Sequence, residues 1–154
     1  MQKITTFLTF NDKAEEAATL YTSTFKDSRI TKVTNYAKAV PQLAGKVMTV
    51  EFELAGQKYV ALNGGPHFTF SEGISLAVSC ADQAEIDELW DKLTANGGAP
   101  GQCGWLKDPF GVSWQIVPGN MGQLLSGADP AQSQRKMAAM MQMHKIDIAT
   151  LEQA

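Results

Sequence analysis

Residues 4–15 read ITTFLTFNDKAE, and residues 74–85 read ISLAVSCADQAE. Aligned with each other, the two segments share Ile, Asp, Ala and Glu at four positions and place hydroxyl residues opposite one another at two more. An internal repeat constrains the architecture before any local assignment is made. Because the period is long and there are only two copies, the pattern does not suit a solenoid. We interpret the chain as a duplicated module.

Each copy of the repeat predicts a strand followed by a helix. Apolar residues alternate with small polar ones along 4–10 and 74–80, which is typical of a strand whose two faces differ. The motif Asp-x-x-Glu then predicts a capping box at Asp12 and at Asp82. The helical stripes that follow are Ala17, Leu20, Tyr21 and Phe25 in the first copy, and Ile86, Leu89, Trp90 and Leu93 in the second.

Further strands complete each module. In the first half they are expected near 29–36, 46–54 and 57–63, with a hairpin turn at Ala55-Gly56. In the second half they are expected near 103–108 and 112–117, around the turn DPFG. The spacing between Gly98 and Cys103 is too short for a full strand, so we expect the second module to be abbreviated by one strand.

These elements predict an α+β fold in which paired βαβββ modules form a cupped mixed sheet with helices outside. We expect one domain over 1–154, with module one at 1–65, module two at 72–118 and a helical tail at 119–154. In the tail, Asp129-Pro130 predicts a capped helix start. Met137, Met140, Met141 and His144 follow at helical spacing, and we interpret them as packing on the body rather than as a recognition surface. Asp147 predicts one more short turn ending at Gln153.

Composition excludes several classes of protein. The chain has 154 residues, 44% of them apolar, and a net charge of −3. Its Lys and Arg are scattered, so no nucleic-acid partner is expected. The two cysteines lack CxxC spacing, which argues against a disulfide scaffold or a zinc finger. The N-terminus does not read as a signal peptide, and there is no apolar run of membrane-spanning length. We expect a cytoplasmic protein with no membrane partner.

The strand faces opposite the helices are expected to line the inside of the curved sheet. This set is small, hydroxylic and aromatic, as in pockets that bind small molecules; a solvated or partner-covered face is the alternative. Its members are Thr5, Phe7, Thr9, Thr49, Glu51, Glu53, Tyr59, Ala61, Asn63, Ser75, Ala77, Ser79, Cys103, Trp105, Ser113 and Gln115. From these we select as ligand-binding candidates Thr5, Phe7, Tyr59, Asn63, Ser75, Cys103, Trp105 and Gln115.

Groups suited to catalysis are few. Glu51 is the acid expected to point inward, where burial would let it accept a proton; pairing with a Lys or Arg on a neighbouring strand is the alternative. His67 lies in a loop between the modules and His144 in the tail, and a solvated surface role is the simpler interpretation for both. Cys103 has no expected base beside it, which argues against a nucleophilic role.

The segments FNDKAEEAATLYTSTF (10–25), CGWLKDPFGVSWQIVP (103–118) and MHKIDIATLEQA (143–154) resemble the PhnB-like family, described as 3-demethylubiquinone-9 3-methyltransferase-like. That family lies within the vicinal-oxygen-chelate superfamily of glyoxalase I, extradiol dioxygenases, and bleomycin- and fosfomycin-resistance proteins. The resemblance implies paired modules around a cup, usually in homodimers. Metal-dependent relatives hold a divalent ion there with His and Glu side chains from the opening and closing strands of each module.

In this sequence the positions that match those metal ligands are Thr5, Ser75, Gln115 and Ala61, or Val60 if the register slips by one. None of them carries an imidazole or a carboxylate. Neutral hydroxyl and amide oxygens do not replace the ligands that bind Zn or Ni tightly, so we predict no metal site.

A methyltransferase is expected to show a glycine-rich loop between a strand and a helix. Asn63-Gly64-Gly65 leads instead to Pro66, and Asn96-Gly97-Gly98 follows a helix, so no cofactor is expected. We predict a metal-independent protein that binds a small molecule. Two alternatives stay open, an enzyme acting on a small organic substrate in the cup and a dimeric interaction protein.

Overall fold

The computed structural model describes residues 2–154, which divide into two compact units. One unit extends to Thr69, and the other comprises Phe70–Ala154. Each unit contains a four-stranded mixed sheet and a helix against it, and the second unit adds three further helices. The α+β class, the duplicated module and the helical tail are therefore confirmed.

The first unit builds its sheet in the order β1-β4-β3-β2. Its elements are β1 (Thr6–Phe10), α1 (Ala14–Thr24), β2 (Arg29–Asn35), β3 (Val47–Leu54) and β4 (Gln57–Asn63). β1 runs parallel to β4, and the other neighbours are antiparallel. The expected stripe of α1 is buried at Ala17 and Tyr21, which lie with Val50 and Phe52 in the core of this unit.

The second unit repeats this topology in the order β5-β8-β7-β6. Its elements are β5 (Leu76–Cys80), α2 (Gln83–Thr94), β6 (Ala99–Pro100), β7 (Trp105–Lys107) and β8 (Ser113–Pro118), followed by α3 (Met121–Leu125), α4 (Pro130–Met141) and α5 (Ile148–Gln153). The strand that we expected to be lost is present as β6, but the short connection leaves room for only two residues. The second module is thus abbreviated by shortening that strand, not by omitting it.

The two repeated helices begin differently, although the sequence predicted the same cap for both. At α2, Asp82 accepts a hydrogen bond from the Glu85 amide at 2.9 Å, as predicted. At α1, Asp12 makes no such bond, because Asn63 at the end of β4 supplies the acceptor: its Oδ1 takes the Ala14 amide at 2.9 Å. The position paired like Asn63 in the second unit is Pro118, whose side chain has no acceptor.

The register of β4 corrects the predicted faces of that strand. The two-residue turn Ala55-Gly56 has positive φ at both positions and sets Leu54 opposite Gln57. Counting back from that turn puts Tyr59 opposite Phe52, and their rings stack with centroids 5.5 Å apart. Directly opposed residues share a face. The helix side of β4 therefore carries Tyr59, Ala61 and Asn63, and the other side carries Val60 and Leu62.

The tail confirms the predicted caps and only part of the predicted stripe. Asp129 and Asp147 each accept a backbone amide at the start of α4 and α5. On α4, however, Met137 and Met141 are exposed, and the buried residue is Lys136, whose ammonium donates to the Leu151 carbonyl at 2.7 Å. Met140 is half-buried, so methionine supplies part of the predicted packing, and the long aliphatic stem of Lys136 adds to it.

Candidate functional site

The face of each sheet that lies opposite its helix, called here the open face, carries most of the predicted site residues. In the first unit, Phe7 is opposite Val60 on this face and is 56% exposed. Glu51 lies on the other side of Val60 and is half-buried, with Lys32 as its neighbour on β2. Thr5 is exposed and immediately precedes β1. The two interpretations of Glu51, proton acceptor or partner of a basic residue, thus both keep a physical basis.

The open face of the second unit brings three predicted residues together. Gln115 on β8 lies directly opposite Trp105 on β7 and opposite Ala77 on β5. Its Nε2 donates to the hydroxyl of Ser75, which immediately precedes β5, at 2.8 Å. Ser75, Trp105 and Gln115 are all half-buried, so solvent and ligands can reach them. This face combines an aromatic surface with an adjoining amide–hydroxyl pair.

Two other predicted residues lie on the helix side of the first sheet. Burial raises the pKa of the Tyr59 phenol above its ordinary value. Asn63 uses both polar atoms of its amide within the fold, since its Nδ2 donates to the Val47 carbonyl at 3.0 Å while its Oδ1 caps α1. Its backbone carbonyl accepts from the Tyr36 hydroxyl. We correct the predicted inward orientation of both residues; the physical reason is the register set by the hairpin turn.

Cys103 lies outside the strands of the second sheet, because β7 begins only at Trp105. Its φ of 57° places it in the left-handed region, in a turn that precedes the strand. There its thiol contacts the Met141 sulfur at 3.9 Å, and its amide donates to the Met143 carbonyl. The alternation that we used for this residue does not extend through a turn.

The positions that match the metal ligands of relatives do not fit a metal. The strand register decides between Ala61 and Val60 as the fourth position. Val60 opposes Phe7 in the first sheet, as Gln115 opposes Ala77 in the second. The set is therefore Thr5, Val60, Ser75 and Gln115, which offers no imidazole and no carboxylate. Within residues 2–154, no three His, Cys, Asp or Glu side chains cluster in a way that would hold a metal ion.

Sequence reasoning missed the residue that orders the β7–β8 hairpin. The Asp108 carboxylate is 2% exposed and accepts from the amides of Phe110 and Val112 and from Trp114 Nε1, at 2.8, 3.1 and 2.9 Å. The DPFG tetrapeptide could have revealed this role, because an Asp side chain before Pro commonly accepts hydrogen bonds from backbone amides of the same turn. Through this hairpin Asp108 fixes the strand positions of Trp105 and Gln115.

The two histidines occupy different settings. His67 is exposed in the loop after β4. The ring of His144 is also exposed, but its Nδ1 lies 2.6 Å from the Gly101 carbonyl.

Among residues 2–154, no helix has the length and apolar character required to cross a membrane.

Comparison with known proteins places this chain in a family. The model of the family described as 3-demethylubiquinone-9 3-methyltransferase matches residues 2–117. The structure of a PhnB protein from Bacillus cereus, named for the same methyltransferase, is 39% identical, with a TM-score of 0.68 over 76% of this chain and 98% of that one. The chain therefore belongs to this PhnB-like family.

More distant structures share the fold. Protein PA1353 from Pseudomonas aeruginosa is 21% identical, with a TM-score of 0.62 over 77% of this chain and 97% of that one. The fosfomycin-resistance protein FosX from Listeria monocytogenes is 14% identical, with a TM-score of 0.53 over 82% of this chain and 98% of that one. No curated protein matches the chain. The whole tail, 119–154, lies beyond the residues that the family model matches.

Proposed function

We propose that this protein binds a small, neutral organic molecule without a metal, on the open face of its second sheet. The observation that carries the proposal is the 2.8 Å hydrogen bond between Gln115 Nε2 and Ser75 Oγ, made on a half-buried surface beside Trp105. In this role the amide–hydroxyl pair binds the polar group of the ligand, and the Trp105 ring packs on its apolar part.

The hydrogen-bonding capacity of the pair indicates the chemistry of the ligand. A primary amide has two donors and one acceptor, and a hydroxyl can donate as well as accept. The bond between Gln115 and Ser75 uses one donor and one acceptor, and residues 2–154 supply no other partner for either side chain. Gln115 and Ser75 therefore keep an acceptor and donors side by side for a ligand, and the pair carries no net charge. That arrangement suits a phenol, an amide or a ketone better than an anion or a metal ion.

The family and the fold support a role in small-molecule binding. One FosX structure of this fold is named as a complex with Mn(II) and 1S,2S-dihydroxypropylphosphonic acid. In the present chain, the positions that would match a metal set carry hydroxyl, amide and aliphatic side chains instead. We propose that the binding surface is retained and that recognition depends on neutral hydrogen bonds.

The test is isothermal titration calorimetry with p-hydroxybenzamide, a neutral molecule whose ring carries a phenol and an amide. Gln115→Val copies the residue that the first module has at the matching position, so the core is untouched. We expect this variant and Ser75→Ala each to weaken binding about tenfold, or about 1.4 kcal/mol. Gln134→Leu, a change at an exposed tail glutamine, is the matched control. Equal binding by all four proteins, or one tight site for Zn²⁺, Ni²⁺ or Co²⁺, would overturn the proposal.

The family name favours a second candidate, an enzyme that acts on a small organic substrate. Glu51 is the acid on the open face of the first sheet and would accept a proton in such a reaction. The loop at Gly64 does not resemble a methyl-donor site, because it packs against Thr9 and Phe68 and leads to Pro66 rather than to a helix. Saturable low-micromolar binding of S-adenosylmethionine in equilibrium dialysis, with turnover lost in Glu51→Gln, would establish this candidate instead.

We also propose that the protein is a homodimer in the cytoplasm. Each unit exposes large apolar side chains of the kind that a partner covers: Ile4 and Phe68 in the first unit are 84% and 58% exposed, and Ile74 in the second is 76% exposed. Both cysteines are free thiols, which suits a reducing compartment. Light scattering of the full chain and of a chain lacking residues 129–154 tests the dimer. Loss of dimerisation only in the shorter chain would assign the contact to the tail and favour an interaction protein.

A further inference from the structure

A pocket of about 160 Å³ lies at the β6–β7 edge of the second sheet. Its apolar lining comes mainly from Ala99, Pro100, Trp105 and Leu106. Trp105 therefore belongs both to this pocket and to the open face that carries Gln115. A cavity of about 150 Å³ accommodates one benzene ring, so the pocket has the size of a single six-membered ring.

The rim of the pocket is charged but has no net charge. Lys107 and Glu72 both line it, and their side chains form an ion pair with each other. The hydrogen bond from Lys107 holds the pKa of the Glu72 carboxyl below its ordinary value, so this carboxyl is ionised at neutral pH. Because each charge has a partner, the rim does not select an anion or a cation, and the apolar lining decides what enters.

The turn that carries one wall of the pocket is held by the tail. The amides of Cys103 and Gly104 donate to the carbonyls of Met143 and His144 at 2.8 and 2.7 Å. The Nδ1 of His144 returns a third contact, at 2.6 Å, to the carbonyl of Gly101, a residue of the pocket lining. We call residues 143–148 the strap. Three contacts from the strap thus fix the backbone of a turn of four residues, 101–104.

The strap is in turn fastened to α2. The side chain of Gln83 donates to the Ile146 carbonyl at 2.9 Å and accepts from the Ile148 amide at 2.8 Å. Ile146 is fully buried, and Lys145 forms an ion pair with Asp87 at 2.9 Å. Because the strap is bound to α2 on one side and to the turn at 101–104 on the other, it holds that turn in place.

In the first module, residues 2–65 show no support of this kind from a tail segment, and Asn63 of β4 contacts Tyr36 and Val47 at the two ends of the β2–β3 connection instead. There the longer β2–β3 connection closes with its own backbone bonds, from the Tyr36 amide to the Lys46 carbonyl and from the Gly45 amide to the Tyr36 carbonyl. In the second module the shortened strand leaves a tight turn, with positive φ at Cys103 and at Gly104. A turn strained in this way persists where its surroundings hold it.

We propose that the pocket beside Trp105 is a subsite for one six-membered aromatic ring, and that the strap determines its shape by positioning the turn at 101–104. The inference rests on the proposed function, because it assigns the ring of the ligand whose polar group contacts Ser75 and Gln115. His144 is the positioning residue of this arrangement, and it acts through Gly101 without touching the ligand.

The experiment observes each tryptophan separately by ¹⁹F NMR of protein labelled with 5-fluorotryptophan. The chain has three tryptophans, and Trp90 and Trp114 are buried, which makes their resonances a check on folding. The probes are p-cresol, with one ring, and 2-naphthol, with two. We expect p-cresol to shift the Trp105 resonance saturably and 2-naphthol to bind at least tenfold more weakly. Ala99→Leu, which places a larger side chain in the pocket, should abolish the shift.

The strap is tested without any ligand as well. His144→Ala should shift the Trp105 resonance but not those of Trp90 and Trp114, and it should weaken the binding of p-cresol at least threefold. His144→Asn, whose amide can reach the same carbonyl, should restore both, and His67→Ala is the control histidine. The role of the strap would be overturned if the Trp105 resonance of His144→Ala stayed at its wild-type position. It would also be overturned if His144→Asn restored neither the resonance nor the binding of p-cresol.

Two further outcomes separate the subsite from the proposed function. If p-cresol leaves the Trp105 resonance unchanged in the wild-type protein, or binds Ala99→Leu equally well, the subsite is wrong. If p-cresol shifts Trp105 as expected but Gln115→Val binds p-hydroxybenzamide normally, the subsite stands and the proposed polar contact is wrong.

Discussion

Replacing Asn63 with alanine should destabilise the first unit and leave ligand binding intact. The change removes the acceptor of the Ala14 amide at the start of α1 and the donor to the Val47 carbonyl. Loss of a helix cap costs about 0.5–2 kcal/mol, and loss of one further hydrogen bond costs about 0.5–1.5 kcal/mol. The bond from the Tyr36 hydroxyl survives, because it goes to the backbone carbonyl. We expect a total loss of about 2 kcal/mol, or roughly 4–8 °C in Tm for a chain of this size.

Urea unfolding followed by circular dichroism measures the loss, and hydrogen exchange at the Ala14 amide localises it. Asn11→Ala is the control, since Asn11 is exposed just before the same helix; a surface change of that kind is expected to stay within about 0.5 kcal/mol. The reasoning fails if Asn63→Ala is as stable as the control while p-hydroxybenzamide binds more weakly. Asn63 would then be the ligand residue that its sequence position first suggested.

Three other changes test single features of the fold. Asp108→Asn should cost about 1–3 kcal/mol in thermal unfolding, because an amide cannot accept at every donor that the carboxylate serves, Trp114 Nε1 included; an unchanged Tm would contradict this. Ala55→Asn should raise the stability by about 0.5–1 kcal/mol, since Ala55 has a φ of 48° and asparagine tolerates that region; no gain would argue against the turn geometry. Burial raises the pKa of Cys80 from 9.0 to about 12. The thiol therefore ionises first in the unfolded chain, so stability should fall as the pH rises from 9.0 to about 12, and less so in Cys80→Ala.

The sequence predicted the repeated module, its helices and most strands because apolar periodicity reflects burial directly. It predicted the faces of β4 wrongly for a definite reason. Val60 and Leu62 were placed under the helix on polarity alone, although the two-residue turn at Ala55-Gly56 already required Phe52 to oppose Tyr59. A shift of one residue exchanges the two faces of a strand. Turn length is therefore the stronger signal wherever it disagrees with side-chain polarity.

Other features of the site could not be predicted from local patterns. The cap of α1 comes from Asn63, which is 49 residues distant from Ala14 in the chain, while the nearby Asp12 fits the motif and is not used. The support of the turn at 101–104 comes from backbone carbonyls of the tail, which no side-chain pattern reveals. By contrast, Gln115 and Trp105 were assigned to the open face correctly, because both lie within regular strands.

The two modules differ on the open face in a way that changes its chemistry. On the helix side, the matching residues Tyr59 and Trp114 are both aromatic, whereas Ala61 matches Ile116 and Asn63 matches Pro118. On the open face, the pair Phe7 and Val60 in the first module corresponds to Ala77 and Gln115 in the second, so bulky apolar groups have become a small residue and an amide. Core positions lose stability when their volume changes, whereas open-face positions can change their chemistry at little cost. An amide on the open face of the second module is what specialisation for a polar ligand would produce, because that position gains hydrogen-bonding groups without a change in the core. The helix-side difference between Asn63 and Pro118 follows instead from the helix caps, since Asn63 caps α1 whereas Asp82 caps α2.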